Sequence, residues 1–394
     1  MSEKKFSMLG FIENICNEIG PRLGTYENEK KAGLKIKEIL AKAVDEVEME
    51  DFTCHQKGFL EFTKIAFVSS VIATVIFFWF PIISMLLEFY AVSTFIFEFL
   101  LLKEYVDFFF PKRTGTNIIG KIKPLKENKK IIVISGHHDS AYEFPLFEKY
   151  KEKFDILAYS TVGLILISGI LSLIEFFLDI FNLSFLILTL IFLTFLIIAL
   201  ILLGYIAFRL HSKNIILGAN DNLSGVAVML ALAHHFSSQR LNNIELWCIS
   251  FSCEECMRGS KRFVKKHKNE LKNSHTINFD MVGRGNISII SKEPAYLTKH
   301  SLELAKEFQD SSKRANLELP IKVAGFGGTD AAFFSKAKLK AISVIGLTPG
   351  DYPDTWHELS DTPENIIEEC LEKTLKVSIQ YLTDLDGRIS NIIS

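Results

Sequence analysis

Two long stretches of the chain contain no lysine or arginine and are rich in apolar residues. The first stretch lies between Lys64 and Lys103 and is interrupted near Pro81, whereas the second extends from Phe154 to Phe208. Each stretch is long enough for two helices of the roughly 20 residues that are needed to cross a bilayer. We therefore predict two transmembrane helical hairpins, or four spans, in a chain of which 48% is hydrophobic.

Basic residues are concentrated at the ends of both predicted hairpins, and the tips carry only acidic or neutral residues. The flanking basic residues are Lys57, Lys64, Lys103, Lys112 and Arg113 for the first hairpin, and Lys149, Lys151, Lys153, Arg209 and Lys213 for the second. Cytosolic segments beside membrane spans are enriched in such residues. We therefore predict a multi-pass integral membrane protein whose remaining residues form a cytosolic domain. The alternative is that the hairpins are interfacial or are buried in a soluble core.

Acidic residues inside the apolar runs need an explanation, because a charge at the bilayer centre costs at least ~2.5 kcal/mol. Glu88 and Glu98 must therefore lie near the end of a span, be paired or be protonated. We interpret Glu88, and the pair Glu175 and Asp179, as markers of the hairpin tips. A proton or ion path through the spans is the alternative.

The residues outside the hairpins predict a single α/β domain. The hairpins occupy residues 58–111 and 154–208, so the domain is assembled from residues 1–57, 112–153 and 209–394. The apolar runs "IIVISG", "IELWCISFS" and "AISVIG" are typical of central strands that are covered on both faces, and helical patterns alternate with them. This alternation predicts a mostly parallel, helix-covered sheet, whose functional site lies at the carboxyl ends of its strands.

The composition argues against two other classes of protein. A formal net charge of -2 gives no reason to expect nucleic acid as a partner. The six cysteines are scattered without the regular spacing of a small disulfide-rich domain, and the N-terminus lacks the long apolar core of a secretory signal. We therefore expect reduced thiols and a cytosolic location for the α/β domain.

Histidines and carboxylates follow the ends of the predicted strands. The candidates are His137 and Asp139 after "IIVISG", Asp221 before a helix, Glu254 and Glu255 after "IELWCISFS", Asp280 after "INF", and His357 in the loop after "AISVIG". Imidazole and carboxylate are ligands of zinc, and a bridging carboxylate allows two metal ions to share one site. Asp139, two residues beyond His137, is suited to accept the other ring N–H and fix the histidine tautomer.

The order of these motifs, H-x-D, G-A-x-D-N-x-S-G, E-E, D-M-V-G, G-G-T-D and H-x-x-x-D-T, resembles the di-zinc aminopeptidase family, metallopeptidase family twenty-eight. The likeness covers essentially all residues outside the hairpins, and it implies a fold of the zinc-exopeptidase type. It also implies two zinc ions per chain, held by His137, Asp221, Glu255, Asp280 and His357, with Asp221 as the bridge. Glu254 would be the general base, and Asp330 would have a supporting role.

The sequence departs from the family pattern in two places. Relatives usually have E-E-x-G-x-x-G-S, whereas this chain has "EECMRGS", which is one residue shorter and lacks the first glycine. In addition, 84 positions separate His137 from Asp221, because the second hairpin is inserted between them. We therefore predict that the active-site mouth borders the bilayer and that hydrophobic peptides or membrane-protein termini are substrates.

The resulting hypothesis is a membrane-embedded zinc exopeptidase that hydrolyses N-terminal residues from peptides. A single-zinc enzyme that resembles glutaminyl cyclase and a non-catalytic receptor or scaffold on the same fold are the alternatives. Cobalt or manganese could replace zinc with the same ligands. Cys253 and Cys256 form a CxxC, which is typical of a redox motif or half of a zinc-thiolate site, although the glutamates between them explain the segment better.

Overall fold

The computed structural model describes residues 6–183, 185–325 and 327–393. The chain divides into two compact units. The sheet unit comprises residues 1–56, 112–143 and 213–394, and the helical unit comprises residues 57–111 and 144–212.

The described part of the sheet unit contains nine strands and seven of the helices. The strands are β1 (Glu46–Cys54), β2 (Arg113–Ile122), β3 (Lys130–His137), β4 (Ile244–Phe251), β5 (His275–Asp280), β6 (Asn286–Glu293), β7 (Thr298–Lys299), β8 (Ile321–Val323) and β9 (Lys340–Leu347). In chain order the helices of both units are α1 (Met8–Glu18), α2 (Glu27–Leu40), α3 (Gly58–Ile76), α4 (Pro81–Thr94), α5 (Pro145–Tyr150), α6 (Phe154–Ile180), α7 (Leu186–Arg209), α8 (Gly225–Ser238), α9 (Gly259–His267), α10 (Leu302–Arg314), α11 (Ala331–Lys336) and α12 (Glu368–Ile393).

The sheet has the strand order β1-β2-β4-β3-β5-β9-β6-β7, and β8 pairs with β6. Its four central strands, β4, β3, β5 and β9, are mutually parallel, whereas β2 and β6 join this centre in antiparallel pairing. The predicted mostly parallel sheet is therefore wrong, and the sheet is mixed. The parallel strands are separated in the chain by helices, because two parallel neighbours need a long crossover connection, which is usually helical, between the end of one strand and the start of the next. The carboxyl ends of β3, β4, β5 and β9 meet at one edge.

The centre of the sheet unit is built around α8. This helix is apolar on nearly all sides, as is typical of a helix inside a protein core. It packs against β3 and β5 on one side and against α1 and α12 on another. Leu230 and Leu232 are completely buried, and each such side chain stabilises the fold by about 1.5–3 kcal/mol relative to an exposed one.

In the part of the helical unit that the structure describes, four helices are long and apolar enough to cross a membrane. Helix α3 packs against α4 and α7, and α6 packs against the same two helices, so the four form a bundle. Small and polar side chains such as Ala66, Ser70 and Ser168 are buried inside it. Large apolar side chains face outward instead, and Leu186 and Ile187 are both 73% exposed. This distribution is the reverse of the one found in the sheet unit.

Two acidic residues inside the bundle, Glu88 and Glu175, are buried and hydrogen-bonded. The turn between α3 and α4 lies at residues 77–80, so the prediction that Glu88 marks a hairpin tip is wrong. Glu88 lies in the middle of α4, is 1% exposed and accepts a hydrogen bond of 2.8 Å from the Ser70 hydroxyl. Glu175 accepts a hydrogen bond of 2.6 Å from Thr189, which pairs α6 with α7.

The second insertion begins earlier than residue 154, the predicted boundary. Residues 144–153 belong to the helical unit because α5 contacts α6 and α7. The Tyr150 hydroxyl lies 3.3 Å from that of Tyr205, and the ammonium group of Lys149 donates to Tyr205 at 3.4 Å. These contacts join α5 to the end of α7, and the sequence pattern around α5 does not reveal them.

Candidate metal centre

His137 is the last residue of β3, and its ring points at two carboxylates from other elements. Its Nε2 atom lies 3.3 Å from Oδ1 of Asp221 and 3.8 Å from Oδ1 of Asp280, the last residue of β5. These three side chains bring their ligand atoms within 4.8 Å of one another, and all three are buried. The structure therefore brings together the first group of predicted ligands.

His357 forms a second group around the other oxygen of the same aspartate. Its Nε2 atom lies 3.4 Å from Oδ2 of Asp221 and 3.0 Å from Oε2 of Glu255. Asp221 thus directs one carboxylate oxygen at His137 and the other at His357. An aspartate in this position could offer one oxygen to each of two neighbouring metal sites.

Asp139 connects the first histidine to the segment that carries Glu254 and Glu255. Its Oδ1 and Oδ2 atoms accept the backbone N–H groups of Glu254 and Glu255, at 3.1 and 3.2 Å. Its Oδ1 atom also lies 3.4 Å from Nδ1 of His137, while Oε2 of Glu254 lies 3.7 Å from Nε2 of the same ring. One carboxylate therefore orients both the ligand and the neighbouring glutamate.

The loop that carries Asp221 is fastened to the end of β5 by side chains. The Asn222 and Asn220 side-chain oxygens and the Ser224 hydroxyl accept hydrogen bonds from three consecutive backbone amides, those of residues 281, 282 and 283. The Asn222 amide also donates to the carbonyl of Phe279 at 2.8 Å. Because residues 281–283 directly follow Asp280, these bonds fix Asp280 relative to Asp221.

Asp361 supports the loop that carries Asp221, a role that the H-x-x-x-D-T motif did not predict. It is 1% exposed, and its two oxygens accept the backbone N–H groups of Asn220 and Asp221 at 2.6 and 2.9 Å. Asp361 therefore holds the backbone of Asp221, and it does so from a position only four residues beyond His357.

Arg22 is a second supporting residue that no sequence motif predicted, and it lies in the N-terminal segment "IGPRLGTYENEKKAG". Its side chain is completely buried and donates hydrogen bonds of 2.7–3.1 Å to the backbone carbonyls of Gly20, His138, Leu217 and Gly218. It thus connects the N-terminal segment to the loop after β3 and to the loop that leads to Asp221.

Two other buried polar residues, His138 and the predicted supporting residue Asp330, lie outside the two ligand groups. His138 is buried, with Nδ1 2.9 Å from the Ser250 hydroxyl and Nε2 3.4 Å from Glu29. Asp330 is fully buried just before α11, and burial raises the pKa of its carboxyl to about 8, with the negative charge of Asp280 acting in the same direction.

The electrostatics of the centre favour a cation. Burial, together with the negative charges of neighbouring carboxylates, raises the pKa of Asp280 to about 6 and the pKa values of Glu254 and Glu255 well above 4.5. Burial opposes protonation of His137, but the surrounding carboxylates raise its pKa well above 6.5. Among the described residues, Oδ2 of Asp221, Oε1 of Glu254 and Oε1 of Glu255 are buried without a hydrogen-bond partner. A donor set of imidazole and carboxylate with spare oxygens suits zinc.

The cluster of imidazole and carboxylate groups at the carboxyl ends of the parallel central strands is suited to a zinc-dependent hydrolase. Residues 204–382 match the family model of peptidase family M28, and a comparison with curated protein sequences gives no match. The matched segment contains Asp221, Glu254, Glu255, Asp280 and His357, so this part of the chain resembles peptidase family M28.

Solved structures with the same fold include aminopeptidases and glutaminyl cyclases. A leucine aminopeptidase precursor from Bacteroides thetaiotaomicron has a TM-score of 0.56 at 16% identity, covering 96% of this chain and 97% of that one. A zinc aminopeptidase from Bacillus subtilis has a TM-score of 0.56 at 15% identity, covering 96% and 94%. A glutaminyl cyclase from Porphyromonas gingivalis has a TM-score of 0.58 at 12% identity, covering 97% and 100%. These likenesses establish the fold and not the substrate.

Proposed function

We propose that the protein is a membrane-embedded di-zinc aminopeptidase that hydrolyses N-terminal residues from peptides. The observation that carries this proposal is the orientation of Asp221, whose two oxygens face two different histidines. Asp280 completes the group around His137, and Glu255 completes the group around His357. Two separate groups of ligands that share one aspartate match a site for two ions better than a site for one.

The residues divide into those that would hold zinc and those that would handle protons. His137, Asp221, Glu255, Asp280 and His357 would hold the ions, which when bound polarise a carbonyl and lower the pKa of water. Glu254 lies beside both groups and has a pKa raised well above 4.5 by burial and by its acidic neighbours. A carboxylate of this kind can take a proton from water and return it to the leaving amine.

Asp139 would position the catalytic groups without contacting the substrate. Its two hydrogen bonds to the amides of Glu254 and Glu255 fix the turn after β4, and its contact with Nδ1 of His137 orients the ring. This combination leaves Nε2 of His137 directed at Asp221 and Asp280. Such supporting hydrogen bonds set the direction of a ligand and commonly affect metal affinity.

The decisive experiment replaces Glu254 with glutamine, which has the same shape but cannot accept the proton. We expect Glu254→Gln to retain two zinc ions per chain and to lower kcat for aminoacyl reporter substrates by about 10²–10⁴-fold. Glu127→Gln is the matched control, because Glu127 is 75% exposed and forms a surface ion pair with Lys129. Full activity of Glu254→Gln with zinc bound would refute its role as the base.

Glutaminyl cyclase activity is the second candidate, because cyclases share the fold. A single-zinc cyclase needs only one of the two ligand groups, so metal content separates the two proposals. We expect two zinc ions and release of free amino acids from the reporters. One zinc ion with cyclisation of N-terminal glutamine would favour the cyclase. Two bound ions without either activity would favour a non-catalytic scaffold.

The membrane location is also a proposal, and the side-chain distribution of the helical unit supports it. A bundle with polar residues inside and large apolar residues outside is stable in a lipid environment, where small residues permit close helix packing. The basic residues that flank both hairpins support a cytosolic location for the sheet unit. A cysteine introduced at the exposed Lys126 tests this orientation, because an impermeant maleimide should label it only after the cells are permeabilised. Labelling in intact cells would reverse the orientation.

Substrate preference follows from the position of the second insertion between His137 and Asp221. We propose that hydrophobic peptides and the N-termini of membrane proteins are substrates. The detergent-solubilised enzyme should therefore have a higher kcat/KM for a bilayer-associated peptide than for soluble dipeptides with the same N-terminal residue. Equal values would refute the preference and leave the peptidase assignment unchanged.

A further inference from the structure

Three cysteines from two distant parts of the chain form a buried cluster in the sheet unit. Cys54 is the last residue of β1, whereas Cys253 and Cys256 follow β4. Their sulfur atoms all lie within 4.8 Å of one another, and the sulfurs of Cys54 and Cys253 are 3.9 Å apart. The three side chains are at most 2% exposed. The CxxC of the sequence thus acquires a third sulfur from a residue 199 positions away.

The sheet topology explains why these sulfurs converge. Strand β2 is antiparallel to both β1 and β4, so β1 and β4 run in the same direction and end at the same edge. Gly115 on the intervening β2 leaves room for the contact, because a Cβ atom there would lie 3.0 Å from the Cys253 sulfur. Cys253 itself has a φ of 58°, in the left-handed region, and begins a tight turn. Such a conformation is uncommon for a non-glycine residue and indicates a specific local requirement.

The spacing and charge of the cluster match a soft divalent metal ion. Sulfurs bound to one zinc ion lie about 2.3 Å from it, which separates them from each other by about 3.8 Å in tetrahedral geometry. The buried guanidinium of Arg258 lies beside the cluster and donates a hydrogen bond of 2.8 Å to the carbonyl of Cys256. Three thiolates, one divalent ion and one guanidinium sum to zero charge, which permits burial of the whole group. The Ser252 hydroxyl, 3.3 Å from the Cys253 sulfur, offers an oxygen nearby.

We propose that Cys54, Cys253 and Cys256 bind a third, structural metal ion of the zinc class through their sulfurs. The site is independent of the peptidase proposal, because none of its ligands belongs to the two groups around Asp221. The proposed ion would also stabilise the backbone next to the candidate metal centre. Cys253 and Cys256 flank Glu254 and Glu255, so an ion held by the cysteines would fix the turn that presents both glutamates. The same ion would compensate for the shortened "EECMRGS" loop, in which the first family glycine is missing.

The test uses cobalt as a spectroscopic substitute for zinc in the full-length protein, purified in detergent with a phosphine reductant. Thiolate ligands give a strong near-ultraviolet charge-transfer band with Co²⁺, whereas the oxygen and imidazole ligands of the other two groups give none. We expect three Co²⁺ ions per chain together with this band in the wild-type protein. The same band should persist in Glu254→Gln, even though hydrolysis is lost, which separates this proposal from the proposed function.

Substitutions of single cysteines assign the band. Cys54→Ser should bind two Co²⁺ ions and lose the band, and Cys54→His, which keeps a ligand atom, should retain three ions with a weaker band. Cys370→Ser is the matched control, because the Cys370 sulfur is 3.5 Å from the carbonyl of Gly285 and lies outside the cluster. A wild-type protein without the charge-transfer band would overturn the proposal even if the variants fail to fold. A disulfide among the three cysteines, detected as fewer than six reactive thiols in a separate sample that is purified and denatured without reductant, would also overturn it.

Discussion

Removal of the Arg22 side chain tests how the N-terminal segment supports the metal centre. The guanidinium donates four hydrogen bonds to backbone carbonyls, including those of His138 and Gly218. A hydrogen bond from a charged group contributes about 1.5–3 kcal/mol, while the cost of burying the charge offsets part of the sum. Breaking a buried network of this kind costs about 3–5 kcal/mol, so we expect Arg22→Ala to lower the free energy of unfolding by about 4 kcal/mol.

The assay is thermal unfolding of the purified, metal-loaded protein, followed by tryptophan fluorescence, together with zinc retention during dialysis. A loss of 4 kcal/mol corresponds to a decrease in Tm of about 8–16 °C for a domain of roughly this size. Arg22→Lys keeps the charge but not the planar set of donors, and we expect about half of that decrease. Arg388→Ala is the control, because Arg388 is 46% exposed and its pair with Glu307 should contribute at most about 1 kcal/mol. Equal Tm changes for Arg22→Ala and Arg388→Ala would refute the reasoning.

Two further predictions concern Asp361 and a histidine far from the centre. Asp361→Asn leaves one of the backbone amides of Asn220 and Asp221 without its acceptor. Zinc affinity, measured by metal titration, or kcat, measured from initial rates, should therefore fall by about 10–100-fold. Unchanged values would contradict the positioning role of Asp361. The pKa of His267 is raised above 6.5, chiefly by its 2.8 Å contact with Glu50, and the pKa of Glu50 is lowered below 4.5 because His267 and Lys266 outweigh burial. Protonated His267 stabilises the folded protein below pH 6.5, and this stabilisation is lost as the pH rises through the raised pKa of the folded state. Ionised Glu50 stabilises the folded protein above pH 4.5, and this stabilisation is lost as the pH falls through its lowered pKa. Tm should therefore decrease less above pH 6.5 in His267→Gln than in wild type, and parallel pH profiles would contradict this.

The sequence was sufficient for features that depend on local patterns. The four apolar helices follow from runs long enough to cross a bilayer, and the predicted ligands His137, Asp221, Glu255, Asp280 and His357 do come together. Their convergence was predictable because parallel strands that alternate with helices end at one edge of a sheet. The chemistry of the side chains then limited what such an edge could bind.

Features that depend on long-range pairing were not predictable in the same way. The antiparallel flanks of the sheet follow from the pairing of β2 with both β1 and β4, and no local pattern specifies that choice. The role of Arg22 depends on backbone carbonyls at residues 138, 217 and 218, whose positions no side-chain pattern encodes. Cys54 joins Cys253 and Cys256 for the same topological reason. The prediction that Glu88 marks a hairpin tip was wrong because its burial within α4 depends on a hydrogen bond from Ser70, and Ser70 lies on the neighbouring helix α3.

The division of the sheet unit into three chain segments has a consequence for biosynthesis. Strand β3, which ends in His137, pairs with β4 and β5, and both of these strands follow the second insertion in the chain. At a translation rate of 5–20 residues per second, the 84 positions from His137 to Asp221 alone take about 4–17 s to emerge. During this interval the first histidine is already made while its partner strands do not yet exist. The two candidate ligand groups around Asp221 therefore cannot be complete until both apolar hairpins have left the ribosome.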